Sequence, residues 1–552
     1  MRKLLSIVCV ATMLTSIAGC SDGRIGQAQS KLSKEEAVQE MDALLKKVTV
    51  HEGNAQMDVN DVDGASTLAA ELPDIEVHEM VIKGNGVIDV EIMSSPEKAT
   101  KDSENDDWLI QVANDFNAQN NGMSVSIRNV ASGLATDYIQ SGKYIPAAIS
   151  ASNEIWTPVM ESNGTVLTKI TDSLVPNDAG ILINNDTYKK LQEQYTNVDL
   201  HTIIEATLAG DIITSYTNPL VSSTGLNLLI TMMKDFDSTN PLSETATAKL
   251  EEFQNKIPSV AYTTAQMRES AKKGIIDAMV MEYQAYINEK ELANSYTFVP
   301  MGVRHDSPLY STDVATDEQV QVLNEFAKFA QQDKYQKIGA DKGFVKSDYA
   351  GKKPDLTAEQ VRSIQEIWKN KKDAGRPLVA VFVSDTSGSM IGTPLAELQT
   401  SLKNAAGYIK EDAYIGLVSY SSDVTIEVPI EKFNKQQKAL FNGAINDFSA
   451  DGGTATNDAI LVAASMLLEK QKELSNAKLM MFILSDGKQT DGYSLSKVSD
   501  TLIGLGIPIH TIGYGENIED LKTISNFNES SHIQASPEDV TYNLKNIFNS
   551  QL

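Results

Sequence analysis

The sequence predicts an α/β protein made of three successive α/β units, and three observations support this. Short apolar runs alternate with amphipathic segments from about residue 85 to the end of the chain. The runs "LVAVFVS" and "KLMMFILS" are dense enough to be central parallel strands buried on both faces. Several of the runs end in Ser, Asn or Asp, and ligands bind beyond the carboxyl ends of strands in such sheets.

Length and charge narrow the class of protein. The chain has 552 residues, which indicates more than one domain, and its apolar content of 41% is ordinary for a globular protein. The formal net charge of -27 would repel phosphate backbones, so we expect no nucleic-acid partner.

The first element is an apolar segment with a basic start, "MRKLLSIVCVATMLTSIAGC". It is shorter than a comfortable membrane span and is placed like a secretory signal. Its end, from Ile17 to Cys20, resembles a bacterial lipoprotein signal. The resemblance implies a signal peptide over 1–20, a lipid on Cys20, and an extracytoplasmic protein anchored to the cell membrane, or to the outer membrane if the cell has one. A plain signal peptide with an incidental cysteine is the alternative. The other cysteine, Cys9, lies inside the segment that would be removed, so we expect no disulfide.

Residues 21–84 are predicted to be a spacer. They contain one helical segment, "SKEEAVQEMDALLKKV", followed by a polar passage rich in Asp and Asn. A small docking element is the alternative for this helix.

Residues 85–350 contain the first two α/β units. The first has strands "GVIDVEIMSS", "MSVSIRNV" and "AAISAS" and the helix "DDWLIQVANDFNAQN". The second has strands "AGILINN" and "IIDAMVMEY" and helices "LNLLITMMKDF" and "TAQMRESAKKG", before "EQVQVLNEFAKFAQQD" returns as a helix. The alternation predicts a mostly parallel sheet.

These two units resemble the type 2 periplasmic solute-binding proteins, particularly the molybdate and sulfate receptors. The resemblance rests on Ser94-Ser95 and on the stretches "ASG", "ISASNEIW", "SLVPNDAGILIN", "NPLVSSTG" and "GIIDAMVMEY". It implies a two-lobed domain over 85–350 whose cleft holds an oxyanion or a small polar solute. The residues that match the pattern by position, or that could line the cleft, are Ser94, Ser95, Ser132, Ser152, Thr224 and Glu282. Ordinary turn chemistry is the alternative for the hydroxyls, and a glutamate in the cleft would disfavour a simple anion.

The third unit spans 378–552, after a linker with one helix over 351–377. Its two densest strands each lead into an aspartate, Asp385 in "SDTSGS" and Asp486 in "SDG", and the loop "DGGTATND" between them carries Thr454. At a topological switch point these ends would converge on one crevice. Hydroxyl and carboxylate oxygens suit a hard cation such as Mg²⁺. The alternative is that the same residues serve only as turn residues and helix caps.

This pattern resembles the von Willebrand factor A (VWA) domain and its metal-ion-dependent adhesion site. The family's Asp-x-Ser-x-Ser corresponds to Asp385, Ser387 and Ser389, its distant Thr to Thr454 and its second Asp to Asp486. The resemblance implies a doubly wound, Rossmann-like domain that binds Mg²⁺ or Mn²⁺. In the family the hydroxyls typically touch the metal and the aspartates often act through water.

We do not expect an enzyme. The sequence has no G-x-S-x-G, no P-loop and no G-x-G-x-x-G after a strand, and none of its six histidines has metalloprotease spacing. The sequence therefore predicts a surface-anchored binding protein that engages a carboxylate of a protein partner through the VWA metal. The alternative is the substrate-binding lipoprotein of an ABC-type transporter, with the VWA domain as an accessory docking module.

Overall fold

The computed structural model describes residues 32–58, 67–100, 107–119, 121–257, 267–268, 271, 274, 276–345, 347–353, 355–487, 489–513, 519–525, 527, 532–534 and 540–551. The predicted signal segment with Cys20 lies outside these residues, as does most of the helix predicted at "TAQMRESAKKG". Among the residues described, no helix combines the length and the apolar character needed to cross a membrane.

The elements of the described residues are numbered in chain order. The helices are α1 (Lys34–Leu45), α2 (Leu68–Glu71), α3 (Pro96–Ala99), α4 (Trp108–Asn117), α5 (Ser132–Ser141), α6 (Thr157–Met160), α7 (Asn185–Gln194), α8 (Leu200–Ala209), α9 (Ser223–Phe236), α10 (Glu244–Lys256), α11 (Tyr283–Asn288), α12 (Lys290–Ser295), α13 (Asp317–Ala330), α14 (Asp333–Asp341), α15 (Ala358–Lys371), α16 (Thr393–Ala406), α17 (Lys435–Asn446), α18 (Thr456–Glu473), α19 (Leu495–Leu505), α20 (Glu519–Ser525) and α21 (Val540–Gln551). The strands are β1 (Val50–Glu52), β2 (Met80–Ile82), β3 (Ile88–Ser94), β4 (Met123–Asn129), β5 (Ala148–Ser150), β6 (Leu167–Thr171), β7 (Ala179–Asn184), β8 (Thr214–Ser215), β9 (Ala278–Glu282), β10 (Tyr296–Pro300), β11 (Leu309–Thr312), β12 (Leu378–Asp385), β13 (Tyr414–Tyr420), β14 (Val424–Lys432), β15 (Lys478–Ser485), β16 (Ile509–Gly513) and β17 (His532–Gln534).

The first lobe is built on a six-stranded sheet of order β2-β4-β3-β5-β11-β6. Its centre is parallel, with β3 pairing with β4 on one side and with β5 on the other. Ser94 pairs with Ser150, so the strand ends predicted to face a ligand lie at one edge. The outer pairs, β2 with β4 and β11 with β5 and β6, are antiparallel. Three of the five pairs between described strands therefore contradict the mostly parallel sheet predicted for this unit.

The second lobe has a four-stranded sheet of order β10-β7-β9-β8. Here the prediction of a mostly parallel sheet is wrong, since β7 pairs antiparallel with both β9 and β10. Alternation of apolar runs and helices indicates the elements but carries no information on strand direction. A chain that crosses between lobes re-enters this sheet from either end.

The chain crosses between the lobes after β6, after β10 and again between α14 and α15, and the first two crossings are paired. They run side by side, with Leu174 N donating to Ser307 O at 3.1 Å and His305 N donating to Asn177 O at 3.0 Å. The guanidinium of Arg304 lies 2.6 Å from the carboxylate of Asp178, and both side chains are largely buried. A paired crossing of this kind is the structural element at which two lobes can hinge.

The third domain has a seven-stranded sheet of order β1-β14-β13-β12-β15-β16-β17. Strands β13, β12, β15, β16 and β17 are parallel to one another. Strand β14 runs antiparallel to β13, and β1 pairs parallel with β14. After β12 the chain adds β13 and β14 on one side of the sheet. After β15 it adds β16 and β17 on the other side. The topological switch point therefore lies between β12 and β15, where Asp385 and Ser485 end the two strands.

The segment predicted to be a spacer contributes elements to both domains. Ala37, Met41 and Leu44 form one face of α1 and are buried against the third domain, where α1 contacts α18 and α19. Strand β1 adds to the same sheet by pairing with β14. Farther along, β2 pairs with β4 of the first lobe. The structure thus differs from a free spacer and agrees with the docking alternative for the helix, because the spacing of its apolar residues makes one face that must be covered.

The helix of the predicted linker, α15, packs into the second lobe. Trp368 is fully buried and its indole nitrogen donates to the hydroxyl of Tyr216 at 2.7 Å. Gln365 donates to the carbonyl of Pro219 at 3.0 Å. The chain therefore enters the third domain from a helix that belongs to the core of the lobe.

Candidate metal centre and solute cleft

Asp385 ends the central strand of the third domain and has no exposed surface. One carboxylate oxygen accepts the backbone N–H of Ser387 at 2.9 Å, and the other accepts the hydroxyl of Ser485 at 2.5 Å. Burial raises the pKa of Asp385, these hydrogen bonds oppose the rise, and the nearby charge of Asp486 adds to it. The two strands at the switch point are thus joined through a buried carboxylate whose described hydrogen-bond partners carry no charge.

The two serines extend this network to the surface. The hydroxyls of Ser387 and Ser389 lie 3.1 Å apart, and Ser389 donates to Asp486 at 2.8 Å. Ser387 is buried, whereas Ser389 is exposed. Four of the five residues predicted from the motif are therefore brought into one hydrogen-bonded group at the open end of β12 and β15.

The fifth residue, Thr454, lies on a loop that is tied to the same turn. Gly388 N donates to Gly452 O at 3.1 Å, and Asp451 N donates to Thr386 O at 3.0 Å. Gly452 has a φ of 68°, a backbone conformation that favours glycine. The loop ends at Thr454, which is 5% exposed and whose backbone N–H donates to Thr490.

The donor set fits a hard divalent cation. Within the described ranges there is no group of three or more His, Cys, Asp and Glu side chains that could hold a metal. The candidate site instead combines two carboxylates with three hydroxyls, which are all oxygen donors of the kind that Mg²⁺ and Mn²⁺ prefer. A buried carboxylate without a positive partner is costly, and a cation would offset that cost.

Two residues outside the motif, Ser485 and Tyr420, support the site through hydrogen bonds. Ser485 precedes Asp486 in "SDG", so its place at a strand end was visible in the sequence. The place of Tyr420 at the site was not visible in the sequence, because this residue lies on the neighbouring strand β13. Its carbonyl accepts from both the amide and the hydroxyl of Thr386, and burial raises the pKa of its phenol well above the usual value.

The two lobes enclose a cleft of about 770 Å³. Five of the six residues predicted for it line it, namely Ser95, Ser132, Ser152, Thr224 and Glu282. Ser94 is not among the lining residues. It is 1% exposed, and its hydroxyl donates to the carbonyl of Ser95.

A buried lysine that sequence reasoning missed organises one wall. Lys98 has no exposed surface and donates to the Ser95 hydroxyl at 2.6 Å, to Glu97 at 3.1 Å and to the Ser150 carbonyl at 3.1 Å. Burial works to raise the pKa of Glu97, but the charge of Lys98 and the hydrogen bonds lower it overall. Ser95 is thus held by a buried ion pair behind the cleft surface.

The opposite wall contains a network centred on His305. Asn153 uses its side-chain oxygen to accept from Ile155 N, so its amide nitrogen donates to Nε2 of His305 at 2.8 Å. This assigns the ring proton to Nδ1, which donates to Glu282 at 2.7 Å. His305 is buried, and it fixes the carboxylate of Glu282 at the cleft.

Fold and sites together define a two-domain binding protein, with a two-lobed cleft followed by a doubly wound domain. Comparison with known protein families agrees with this two-domain description. Residues 103–345 match the family model of bacterial extracellular solute-binding proteins, and residues 380–550 match that of the von Willebrand factor type A domain. The chain therefore contains a solute-binding domain and a VWA domain. Neither family description is that of an enzyme.

Similar proteins cover only parts of the chain. Inter-alpha-trypsin inhibitor heavy chain H3 of Bos taurus is 30% identical over 153 residues, which is 26% of this chain and 17% of that protein. This chain thus spans about a sixth of the length of that relative. A solved von Willebrand factor type A protein from Catenulispora acidiphila is 18% identical with a TM-score of 0.29, covering 32% of this chain and 42% of its own. The sulfate-binding protein SubI from Mycobacterium tuberculosis H37Rv is 15% identical with a TM-score of 0.34. The match covers 48% of this chain and 88% of SubI.

Proposed function

We propose that this chain is an extracytoplasmic, lipid-anchored binding protein that engages a carboxylate of a protein partner through a divalent ion in its VWA domain. The observation that carries the proposal is the hydrogen-bonded group of Asp385, Ser387, Ser389 and Asp486 at the switch point of the sheet. The anchor rests on the signal-like segment that ends at Cys20, and the description of the matched solute-binding family as extracellular supports the location.

Each residue has a role that follows from its position. Ser387, Ser389 and Thr454 would supply neutral oxygens to Mg²⁺ or Mn²⁺. Asp385 and Asp486 would balance its charge, directly or through water. When bound there, the ion supplies a coordination position for an anionic oxygen from outside.

The low number of carboxylates decides how strongly the site attracts a partner. Two carboxylates only neutralise a divalent ion, so the occupied site carries no excess negative charge to repel a partner carboxylate. A third carboxylate would complete the ion's shell from within the protein. Ser389 is exposed, so a partner can reach the site at its outer side.

A capture experiment from the surface proteins of the parent cell tests the proposal. Wild type should retain a partner in Mg²⁺ and release it in chelator, and Ser387→Ala and Ser389→Ala should fail to retain it. Ser496→Ala, an exposed serine on α19 of the same domain, is the matched control and should behave as wild type. Retention by all variants in the presence of chelator would refute a metal bridge.

The second candidate function is solute reception for a transporter, which the cleft between the lobes favours. Its volume lies in the range of about 300–1,000 Å³ typical of small-molecule sites. Solute binding should then survive Asp385→Ala, because the strand ends of the VWA sheet that carry Asp385 do not line the cleft. Loss of solute binding in that variant would contradict separate sites.

A further inference from the structure

The cleft between the lobes has a third wall, and that wall belongs to the VWA domain. Tyr542, Asn543 and Asn546 of α21 line the cleft together with residues of both lobes. Tyr542 and Asn546 are each 4% exposed, so this part of the helix is packed and not lying free at the cleft mouth.

Three contacts hold the helix in place. The hydroxyl of Tyr542 donates to Asp137 of the first lobe at 3.0 Å. Lys545 donates to the buried carboxylate of Glu71 at 2.7 Å. Asn218 of the second lobe donates to the carbonyl of Asn546 at 3.3 Å. The helix therefore touches both lobes beside the cleft.

The charges around the cleft favour a positive ligand. Its lining carries four carboxylates, Glu97, Asp107, Glu282 and Glu289, against one guanidinium, that of Arg268. Glu97 is compensated by Lys98, and Glu289 lies 3.9 Å from Arg268. The other two carboxylates of the lining are those of Asp107 and Glu282.

The groups near these two carboxylates do not cancel their charge. The partner of Glu282 is His305, which accepts from Asn153 at Nε2 and is therefore a neutral imidazole. Burial raises the pKa of Asp107 to about 6, and the positive charge of Lys342 acts against this rise, so Asp107 is partly compensated and Glu282 is not. Burial and the charge of Arg128 lower the pKa of His78 to about 4, which leaves that imidazole uncharged.

Helix N-termini at the cleft act in the opposite direction, and two of them follow the carboxylates directly, because Asp107 precedes α4 and Glu282 precedes α11. Helices α5 and α9 begin at Ser132 and Ser223, and each terminus carries about half a positive charge that solvent screens. At α9 the Ser222 side chain already accepts from Gly225 N. Glu282 nevertheless presents a carboxylate without a cationic partner at the cleft surface, which disfavours the oxyanion that the sequence resemblance allowed.

We propose that the cleft binds a small organic cation whose charged nitrogen lies at Glu282, and that α21 closes against this solute, so that binding fastens the VWA domain to the two lobes. The inference rests on the second proposed function, solute binding. A ligand that contacts α21 only when the helix is docked must stabilise the docked arrangement by linkage.

Thermal unfolding and calorimetric titration of the full chain with choline, sulfate and glucose test the ligand class. Choline should raise the unfolding midpoint, and sulfate and glucose should not. Glu282→Gln should weaken choline binding by about tenfold or more, because the Coulombic attraction between the carboxylate and the quaternary nitrogen is lost. The amide oxygen can still accept from His305, so the fold should persist. Glu325→Gln, an exposed carboxylate on α13, makes the same charge change away from the cleft and should have no effect. A larger shift with sulfate, or no shift with choline, overturns the cationic ligand.

The contribution of α21 to the cleft is tested with a separate variant. Asn543→Trp should obstruct the cleft and abolish choline binding, whereas Asn404→Trp on the exposed face of α16 should not. Choline should also slow amide hydrogen exchange in α21 but not in α16. Unchanged affinity in Asn543→Trp, or unchanged exchange in α21, overturns the role of the helix. Asp385→Ala should bind choline as wild type does, so a failure of the metal-bridge proposal would be distinguishable.

Discussion

Replacing Asp385 with Asn should separate the metal from the fold. The change removes one of the two negative charges of the candidate site and keeps the shape of the side chain. The amide oxygen can still accept from Ser387 N, and only the hydrogen bond from Ser485 must rearrange. One rearranged hydrogen bond is worth about 1 kcal/mol, and relief of a buried charge acts in the opposite direction. In chelator the unfolding midpoint should therefore stay close to that of wild type or rise.

Magnesium should distinguish the two proteins. At an ion concentration 100 times the dissociation constant, wild type gains about 2.7 kcal/mol. For a domain of this size each kcal/mol moves the midpoint by about 2–4 °C, so the shift should be about 5–11 °C. The variant should show little of it, because one carboxylate balances only half of the ion's charge. The assay is thermal unfolding of the full chain, followed by circular dichroism in chelator and in excess Mg²⁺. An equal magnesium shift in wild type and Asp385→Asn would refute the reasoning.

The remaining predictions address the anchor, the lobe core, the cleft and the VWA loop. Cys20→Ser should move the protein from the detergent phase to the aqueous phase on partitioning, and wild type found in the aqueous phase would contradict the lipid anchor. Trp368→Ala should destabilise the second lobe by about 3–5 kcal/mol in urea unfolding, because a fully buried indole is removed; Trp368→Phe should lose much less, and equal losses would argue against cavity formation. The pKa of Asp107 in the folded chain, about 6, lies above its unfolded value, so its protonated form contributes stability that is complete below about pH 4 and is lost as the pH rises through 6; urea midpoints from pH 4 to 7 should show this decline in wild type and less of it in Asp107→Asn, and identical slopes would contradict it. Gly453→Ala should weaken metal binding, because a Cβ there would lie 1.9 Å from a carboxylate oxygen of Asp491, and moving that side chain breaks its hydrogen bond from the Ser422 hydroxyl, which also accepts from Gly453 N; unchanged affinity would show that this network does not support the site.

The sequence indicated that four of the motif residues lie together, because they follow dense apolar strands, and the structure groups them. Their role as metal ligands stays a prediction. Asp385 and Asp486 each follow such a run, and parallel strands place their carboxyl ends together. Thr454 could be predicted because it lies in a glycine-containing loop between the two strands. One of these glycines, Gly452, has a positive φ. The metal itself stays a prediction, since the structure shows the donors and their hydrogen bonds and not an ion.

What the sequence could not predict depends on pairings between distant segments. The antiparallel partners of β7 lie about 100 residues away, and strand direction leaves no trace in apolar periodicity. The burial of Lys98 could not be predicted, because the Ser150 carbonyl to which it donates lies on a strand 52 residues away. The contribution of α21 to the cleft depends on how two domains pack, which no local pattern reports.

The most direct test of the metal-dependent account is a titration of Mn²⁺ into the full chain, monitored by electron paramagnetic resonance of the free ion. Wild type should bind one tight ion more than Asp385→Ala, and Ser389→Ala should bind that ion more weakly with the same stoichiometry. Asp412→Ala, an exposed aspartate of the same domain, should match wild type. Equal numbers of tightly bound ions in wild type and Asp385→Ala would contradict a metal centre at the ends of β12 and β15.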